Sequence, residues 1–224
     1  MGVRVIEIHE NVFAQNDREA AVLREELRQK NVFMLNVMSS PGSGKTTALS
    51  AVINMLKSDY RIGVMDVDIE TSLDADRVSD ATGVRSLQIH NGGLCHIDAE
   101  MTSKAIADFG VDDLDIVFLE NIGNLVCPAE FDTGAHKNMM ILSVPEGDDK
   151  PLKYPLMFSV CDLVLISKID TLEYFDFDKE KAIANIRKLN PKAEILFISA
   201  KTGEGMDKFA NWIKNWIKNS YENI

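Results

Sequence analysis

Between an apolar run of β character, Val32-Phe33-Met34-Leu35-Asn36-Val37-Met38, and a helical run ending near Lys57 lies Ser39-Ser40-Pro41-Gly42-Ser43-Gly44-Lys45-Thr46-Thr47. Strand, glycine-containing loop, Gly-Lys-Thr and helix in that order are what a polyphosphate-binding loop requires. Gly42 and Gly44 let the backbone approach an anion and turn several N–H groups toward it. A helix beginning near Lys45 aims the positive end of its dipole at the same point. The Lys45 ammonium then reaches the β- and γ-phosphates, and the Thr46 hydroxyl is placed to ligate magnesium. Ser39 stands where this pattern ordinarily begins with glycine. A serine serves there if its φ stays negative.

The rest of the chain agrees with one α/β domain. Apolar strands are expected at 32–38, 61–65, 84–89, 115–119, 138–144, 163–167 and 194–198. Helices are expected near 46–57, 73–82, 97–109, 154–160, 178–189 and 206–219. Most of the strand runs are continuously apolar, which indicates burial on both faces. Strands separated by helices imply right-handed crossovers and a mostly parallel sheet with helices on both faces. Ligands then gather at the carboxyl ends of the strands. Gly83 and Gly110 fall at helix C-caps, and Phe209, Trp212, Ile213, Trp216 and Ile217 form a core-facing stripe. Residues 1–31 read as an extension packed on a 32–224 nucleotide domain. It would hold a short β-like piece, Val3–Ile6, then a helix with Asn16 and Glu19 at capping-box spacing and Leu23 and Leu27 on one face.

The 224 residues carry a net charge of −11, which argues against a binder of duplex nucleic acid. No apolar run approaches the ~18 residues of a membrane span. The start has neither a signal-peptide nor a myristoylation pattern. Three cysteines suit a reducing cytoplasm better than a disulfide scaffold.

Chemistry is expected at the strand ends. Asp68, with Asp66 behind it, ends the strand at 61–65 and would hold magnesium or its waters. The acidic segment after Asp68 suits a mobile switch, or a helix start capped by Ser72. Glu120-Asn121-Ile122-Gly123 follows the next buried strand. Its acid would face the magnesium shell, and the Gly123 N–H would meet the γ-phosphate. Ser167-Lys168-Ile169-Asp170 resembles the guanine motif N-K-x-D with Ser for Asn. Asp170 would accept from guanine N1–H and the 2-amino group, while Lys168 lies along the base. Ser199-Ala200-Lys201 would back the base from the last strand. Adenine offers the carboxylate nothing, so GTP is favoured over ATP.

Cys95-His96 follows the glycine pair Gly92-Gly93, and Cys127 lies four residues beyond Gly123. Two thiolates and an imidazole suit Zn²⁺ or Ni²⁺ and leave one position for water, another residue or a second subunit. Cys161 reads as core. His9, His90 and His136 read as surface or locally hydrogen-bonded residues.

Taken together the chain resembles the HypB family of hydrogenase nickel-incorporation GTPases. The resemblance rests on residues 36–47, on Cys95-His96-Ile97-Asp98-Ala99, on residues 120–128 from Glu120 to Pro128, on Glu146-Gly147-Asp148-Asp149-Lys150-Pro151-Leu152-Lys153-Tyr154-Pro155, and on Ser167–Asp170. It implies a slow GTPase that dimerises with GTP, and Cys95, His96 and Cys127 match the family's metal ligands at the dimer interface. It also implies delivery of nickel to nickel–iron hydrogenase, with a nickel-insertion accessory protein and the hydrogenase large subunit as partners. Three departures stand out: Ser39, Ser167, and Val67 where the family usually has Gly. The sequence has neither the cysteine-rich nor the histidine-rich nickel tract of some members, so high-affinity nickel storage is not expected. The Cys-Pro-His motif of the sister urease-accessory GTPases is absent. Two alternatives are a small-metabolite kinase, which would leave a phosphorylated acceptor, and a nucleotide-gated docking module whose structural zinc ignores the nucleotide.

Overall fold

The computed structural model describes residues 8–68 and 73–221. Seven parallel strands form one sheet: β1 (Phe33–Ser39), β2 (Ile62–Asp68), β3 (Arg85–His90), β4 (Ile116–Gly123), β5 (Lys137–Ser143), β6 (Leu163–Ser167) and β7 (Glu194–Phe197). Their order is β3-β2-β4-β1-β5-β6-β7. The chain therefore winds outward in both directions from β1. The carboxyl end of β1 is the switch point, where neighbouring crossovers leave on opposite faces and open a crevice.

The helices are α1 (Ile8–Gln29), α2 (Lys45–Leu56), α3 (Leu73–Thr82), α4 (Ala99–Phe109), α5 (Lys150–Lys153), α6 (Pro155–Ser159), α7 (Lys179–Leu189) and α8 (Met206–Tyr221). One face of the sheet is covered by α2, α3 and α8. Leu49, Ile53, Phe209, Ile213 and Ile217 pack there against Leu35, Val37 and Phe118. The opposite face carries two separate apolar clusters. Leu23, Leu27, Ile106 and Phe109 from α1 and α4 cover Met34 and Val117. Met157, Phe158 and Ile186 from α6 and α7 cover Met140 and Val164. The expected α/β architecture with helices on both faces is what forms. The sheet is parallel throughout, and its edge strands β3 and β7 are the more exposed ones, as a sheet covered on both faces requires. Among the described residues no helix is long and apolar enough to cross a membrane.

One local expectation is corrected. Asn16 does not start a helix, because α1 begins eight residues earlier, at Ile8. It lies mid-helix, 6% exposed, where its Oδ1 accepts from the Ala99 N–H at 2.9 Å and its Nδ2 donates to the Asp132 carbonyl at 3.0 Å. A capping residue by spacing is thus a tertiary polar anchor by position. The helix expected over 154–160 forms as α6, and a further short helix, α5, precedes it, separated by Tyr154, whose φ of −127° and ψ of 58° leave the helical region. Pro155 causes the break, since its ring disfavours helical geometry in the residue before it. The β-like piece at Val3–Ile6 and the Ser72 cap lie outside the described residues, and His9 falls in the first turn of α1. His136 is largely buried: its Nδ1 accepts from the Met34 N–H at 3.1 Å. Burial, with Arg24 nearby, lowers its pKa to about 4, so it is a neutral strut at pH 7.

Gly205 is the tightest glycine in the fold. It has φ of 72°, and a Cβ there would lie 2.1 Å from the Phe197 carbonyl oxygen. Gly205→Ala combines a left-handed backbone with a backbone clash, and we expect it to cost about 3 kcal/mol in denaturant unfolding. A midpoint equal to wild type would show that α8 can start without this close approach.

Candidate functional site

The phosphate end is built by β1 and α2. Gly42 (φ 73°) and Gly44 (φ 94°) make the turn, and Gly44 is the N-cap of α2. Ser39 is the last residue of β1 and fully buried. Among the described residues only Asn31 and Lys168 are non-glycines with positive φ, so Ser39 keeps the negative φ that makes serine admissible. Its hydroxyl accepts from Ser43 Oγ at 2.7 Å and Lys45 Nζ at 3.0 Å, and donates to the Ser40 carbonyl at 2.8 Å. These three bonds shape the loop and hold the Lys45 ammonium beside it.

Around this loop opens a cleft of about 900 Å³, whose walls include Lys45, Thr46, Asp66, Asp68, Glu120, Gly123 and Lys168. Thr47 is exposed at its rim. The Thr46 hydroxyl donates to Glu120 Oε1 at 2.8 Å. Asp66 and Glu120 are direct partners across β2 and β4, 3% and 1% exposed. Like charges opposite one another on adjacent strands repel. Carboxylate and hydroxyl oxygens, with the more open Asp68 beside them, are the donor type that a hard divalent cation such as magnesium takes, although the three acids do not converge as a ready-made group. Gly123 lies under the loop: a Cβ there would be 3.0 Å from Pro41 Cγ.

At the other end the S-K-x-D segment returns to the same loop. Lys168 adopts a left-handed conformation, φ 59°, and its Nζ donates to the Gly42 carbonyl at 2.6 Å. The Ser167 hydroxyl donates to the Ser43 carbonyl at 2.8 Å. The shorter side chain still ties the Ser167–Asp170 segment to the Gly42–Thr47 loop. Asp170 Oδ1 accepts from Ser199 Oγ at 2.7 Å, and Lys201 Nζ stands 3.9 Å from Oδ2. Ser199 is fully buried and Ala200 half-buried beside it, while Lys201 is 84% exposed. Ser199 is therefore the partner that orients the carboxylate.

One anchor was not singled out from the sequence. Glu146 closes a capping box with Ser143, accepting from its N–H at 2.8 Å and its hydroxyl at 2.7 Å, and also takes the Ser40 hydroxyl. It fixes the second residue of the phosphate loop. The signal was present as Ser143-Val144-Pro145-Glu146, an S-x-x-E with proline inside the first turn.

The thiols meet. Cys95 Sγ and Cys127 Sγ are 2.7 Å apart, on the loop after β3 and the one-turn helix after β4. The Cys127 thiol raises the Cys95 pKa, burial adds to it, and a bound cation would reverse the effect. His96 Nδ1 is 3.8 Å from Cys95 Sγ, but its ring lies flat on Phe131, centroids 3.9 Å apart at 6°. Among the described residues no group of three or more His, Cys, Asp or Glu is placed to hold a metal. The two cysteines come together, and the His96 ring, stacked on Phe131, lies beside Cys95. Asn91 Nδ2 donates to the Leu94 and His96 carbonyls, at 2.8 and 2.7 Å, and Asn124 Nδ2 donates to the Cys95 carbonyl at 3.3 Å. Cys161 is buried and points its thiol at the Met157 carbonyl, as a core residue. His90 is exposed.

Comparison with known proteins agrees with this geometry. Residues 33–197 match the CobW/HypB/UreG nucleotide-binding domain. The chain is 45% identical over 211 residues to the hydrogenase maturation factor HypB of Escherichia coli K12, covering 94% of this chain and 72% of that protein. It is 39% identical to the hydrogenase/urease maturation factor HypB of Helicobacter pylori J99, covering 97% and 90%. The crystal structure of HypB from Helicobacter pylori in complex with nickel superposes with a TM-score of 0.86 at 39% identity, covering 92% of this chain and 97% of that one. With the matched domain, a phosphate loop at the switch point and a relative at this identity, the chain belongs to the HypB family of hydrogenase maturation factors.

Proposed function

We propose that this protein is a GTP-hydrolysing nickel chaperone that works in the cytoplasm as a nucleotide-controlled dimer. The observation that carries the reading is the route of one segment. Gly123, at the phosphate end of the cleft, and Cys127, at the thiol pair, are four residues apart on the same loop. A change at the γ-phosphate thus has a short covalent path to the metal-binding sulfurs.

In this reading the guanine base is held by Asp170, with Lys168 along its plane and Ser199 behind the carboxylate. Backbone N–H groups of Gly42–Thr47 surround the phosphates, and the Lys45 ammonium moves from the Ser39 hydroxyl to the β- and γ-phosphate oxygens. Thr46, Asp68, Asp66 and Glu120 are the residues that would hold magnesium, which supplies charge neutralisation across the transferred phosphoryl group. Gly123 offers its N–H to the γ-phosphate and carries the loop with it. No residue stands out as a counterpart of the glutamine that orients the attacking water in signalling GTPases, and turnover is expected to be slow.

Nickel or zinc is the cargo. Cys95 and Cys127 supply two donors in one subunit, and the remaining donors come from His96, once unstacked from Phe131, or from a second copy. Exposed apolar groups flank the thiols, Leu94 at 42% and Val126 at 51%, as a face that closes against another copy requires. The relatives' names support a role toward hydrogenase; the partners in this reading are a nickel-insertion accessory protein and the hydrogenase large subunit.

The test is nickel and zinc binding measured alongside light scattering, in GDP and in a non-hydrolysable GTP analogue with magnesium. The analogue is expected to produce dimers and to shift metal affinity by roughly 5–150-fold, the usual range of coupling between two sites. Cys127→Ala is expected to abolish that shift and leave nucleotide affinity unchanged. Metal binding indifferent to the nucleotide would reduce the thiol pair to a structural or incidental site.

A further inference from the structure

A line of three asparagines crosses the middle of the sheet. Asn36 on β1 and Asn138 on β5 are direct cross-strand partners, and Asn121 stands on β4. Asn36 and Asn121 are each 1% exposed. The side chains of Met34 and Met38, which share the Asn36 face of β1, belong to the two separate apolar clusters of that face. The asparagines therefore form a polar seam between those clusters.

Their amides form a chain with one direction. Asn121 Oδ1 accepts from the Ile122 N–H at 2.9 Å, and Asn121 Nδ2 donates to Asn36 Oδ1 at 3.1 Å. Asn36 Nδ2 donates to Asn138 Oδ1 at 3.0 Å, and Asn138 Nδ2 donates to the Val160 carbonyl at 3.4 Å. Both ends are backbone groups that cannot exchange roles: an N–H only donates and a carbonyl only accepts. Each amide therefore has one allowed orientation, and turning any of them sets donor against donor.

The Ile122 N–H needs this acceptor because the ladder slips beside it. Val37 pairs with Glu120, but Ser39 pairs with Gly123, so β4 spends one residue more than β1 over that interval. This is a bulge, and a bulge turns backbone groups out of the ladder and bends the strand. It lies directly between Glu120, bonded to Thr46, and Gly123, packed under Pro41.

We propose that the Asn36–Asn121–Asn138 amide chain is a positioning device that fixes this bulge, so that Gly123 meets a γ-phosphate and the site separates triphosphate from diphosphate. The proposal rests on the GTP reading above. Asn36 acts through Asn121 and the Ile122 backbone and touches no nucleotide.

Asn36→Ala removes the middle of the chain away from the cleft. Affinity for a non-hydrolysable GTP analogue is expected to fall at least about tenfold and kcat to fall with it, while GDP affinity stays within about twofold. Hydrogen exchange at the Ile122 amide is expected to speed up, with β5 and β6 amides still protected. A general loss of structure would instead weaken GDP and the GTP analogue together, and that result overturns the proposal, as does an unchanged ratio of the two affinities. If Asn36→Ala does not fold, Asn138→Ala, at a half-buried position, carries the same comparison. If the wild type binds no guanine nucleotide, it is the functional reading that fails. The Ile122 exchange rate then decides the amide chain by itself, and an unchanged rate overturns it.

Discussion

Lys45→Ala is expected to lower GTP hydrolysis by at least about 100-fold, the loss typical of removing one preorganised charge stabiliser from a transition state. The fold should not change. Lys45 opens α2 but contributes no buried apolar group to the core, and the bond to the Ser39 hydroxyl is one of three that the hydroxyl makes. Ser43 would still close the loop onto Ser39. Phosphate release under saturating GTP and a thermal melt, taken on the same sample, separate the two effects. Turnover equal to wild type would remove the phosphate-site assignment, and with it the whole nucleotide cleft. A melt lowered as much as the rate would mean that the loop, not the charge, had been lost.

Asp170→Asn is expected to move base preference from guanine to xanthine. In the proposed reading the wild-type carboxylate accepts two guanine N–H groups. The amide presents an N–H to one of them, a repulsive pairing, but meets the additional carbonyl of xanthine as a donor. One unmatched buried polar group costs about 1–3 kcal/mol, so the ratio of GTP to xanthosine triphosphate affinities should swing by roughly 10–100-fold or more. The site should otherwise survive, because the Asn oxygen can still accept from Ser199 as Asp170 does at 2.7 Å. Competition of both triphosphates against a labelled nucleotide checks it. Unchanged discrimination would remove the base-reading role from this segment.

The parts of the fold that were legible are those whose signals are local. Continuous apolar runs, glycines at helix ends and the Gly-Lys-Thr loop each announce a backbone state over a few residues, and β1–β7 formed where those signals lay. What stayed hidden depended on partners far away in sequence. Asn16 has capping spacing, yet its partners are Ala99 and Asp132, 83 and 116 residues later. Cys95 and Cys127 were read as a pair because both fall at strand ends of a parallel sheet, and there topology does the predicting. Whether His96 turns toward them depended on Phe131, an unremarkable aromatic in the sequence that takes the ring by stacking. The β4 bulge was equally invisible, since Glu120-Asn121-Ile122-Gly123 has no glycine or proline at the slip itself.

The helix at the amino-terminal side bears on when the metal loop can exist at all. Asn16 and Arg24 of α1 hold Asp132, Arg24 also takes the Ala135 carbonyl at 2.8 Å, and Phe13 packs on Phe131. α1 is therefore complete well before the segment at 131–135 that it clasps. At about 5–20 residues per second, the roughly 110 residues between them take on the order of ten seconds to synthesise. During that interval Asn16 and Arg24 have no partner at Asp132, although Cys95 and Cys127 are both made before it ends. The loop that carries Cys127 is thus clasped by contacts spanning more than a hundred residues of sequence, Asn16 to Asp132 and Arg24 to Asp132, so its shape is a property of the finished domain and not of the local chain.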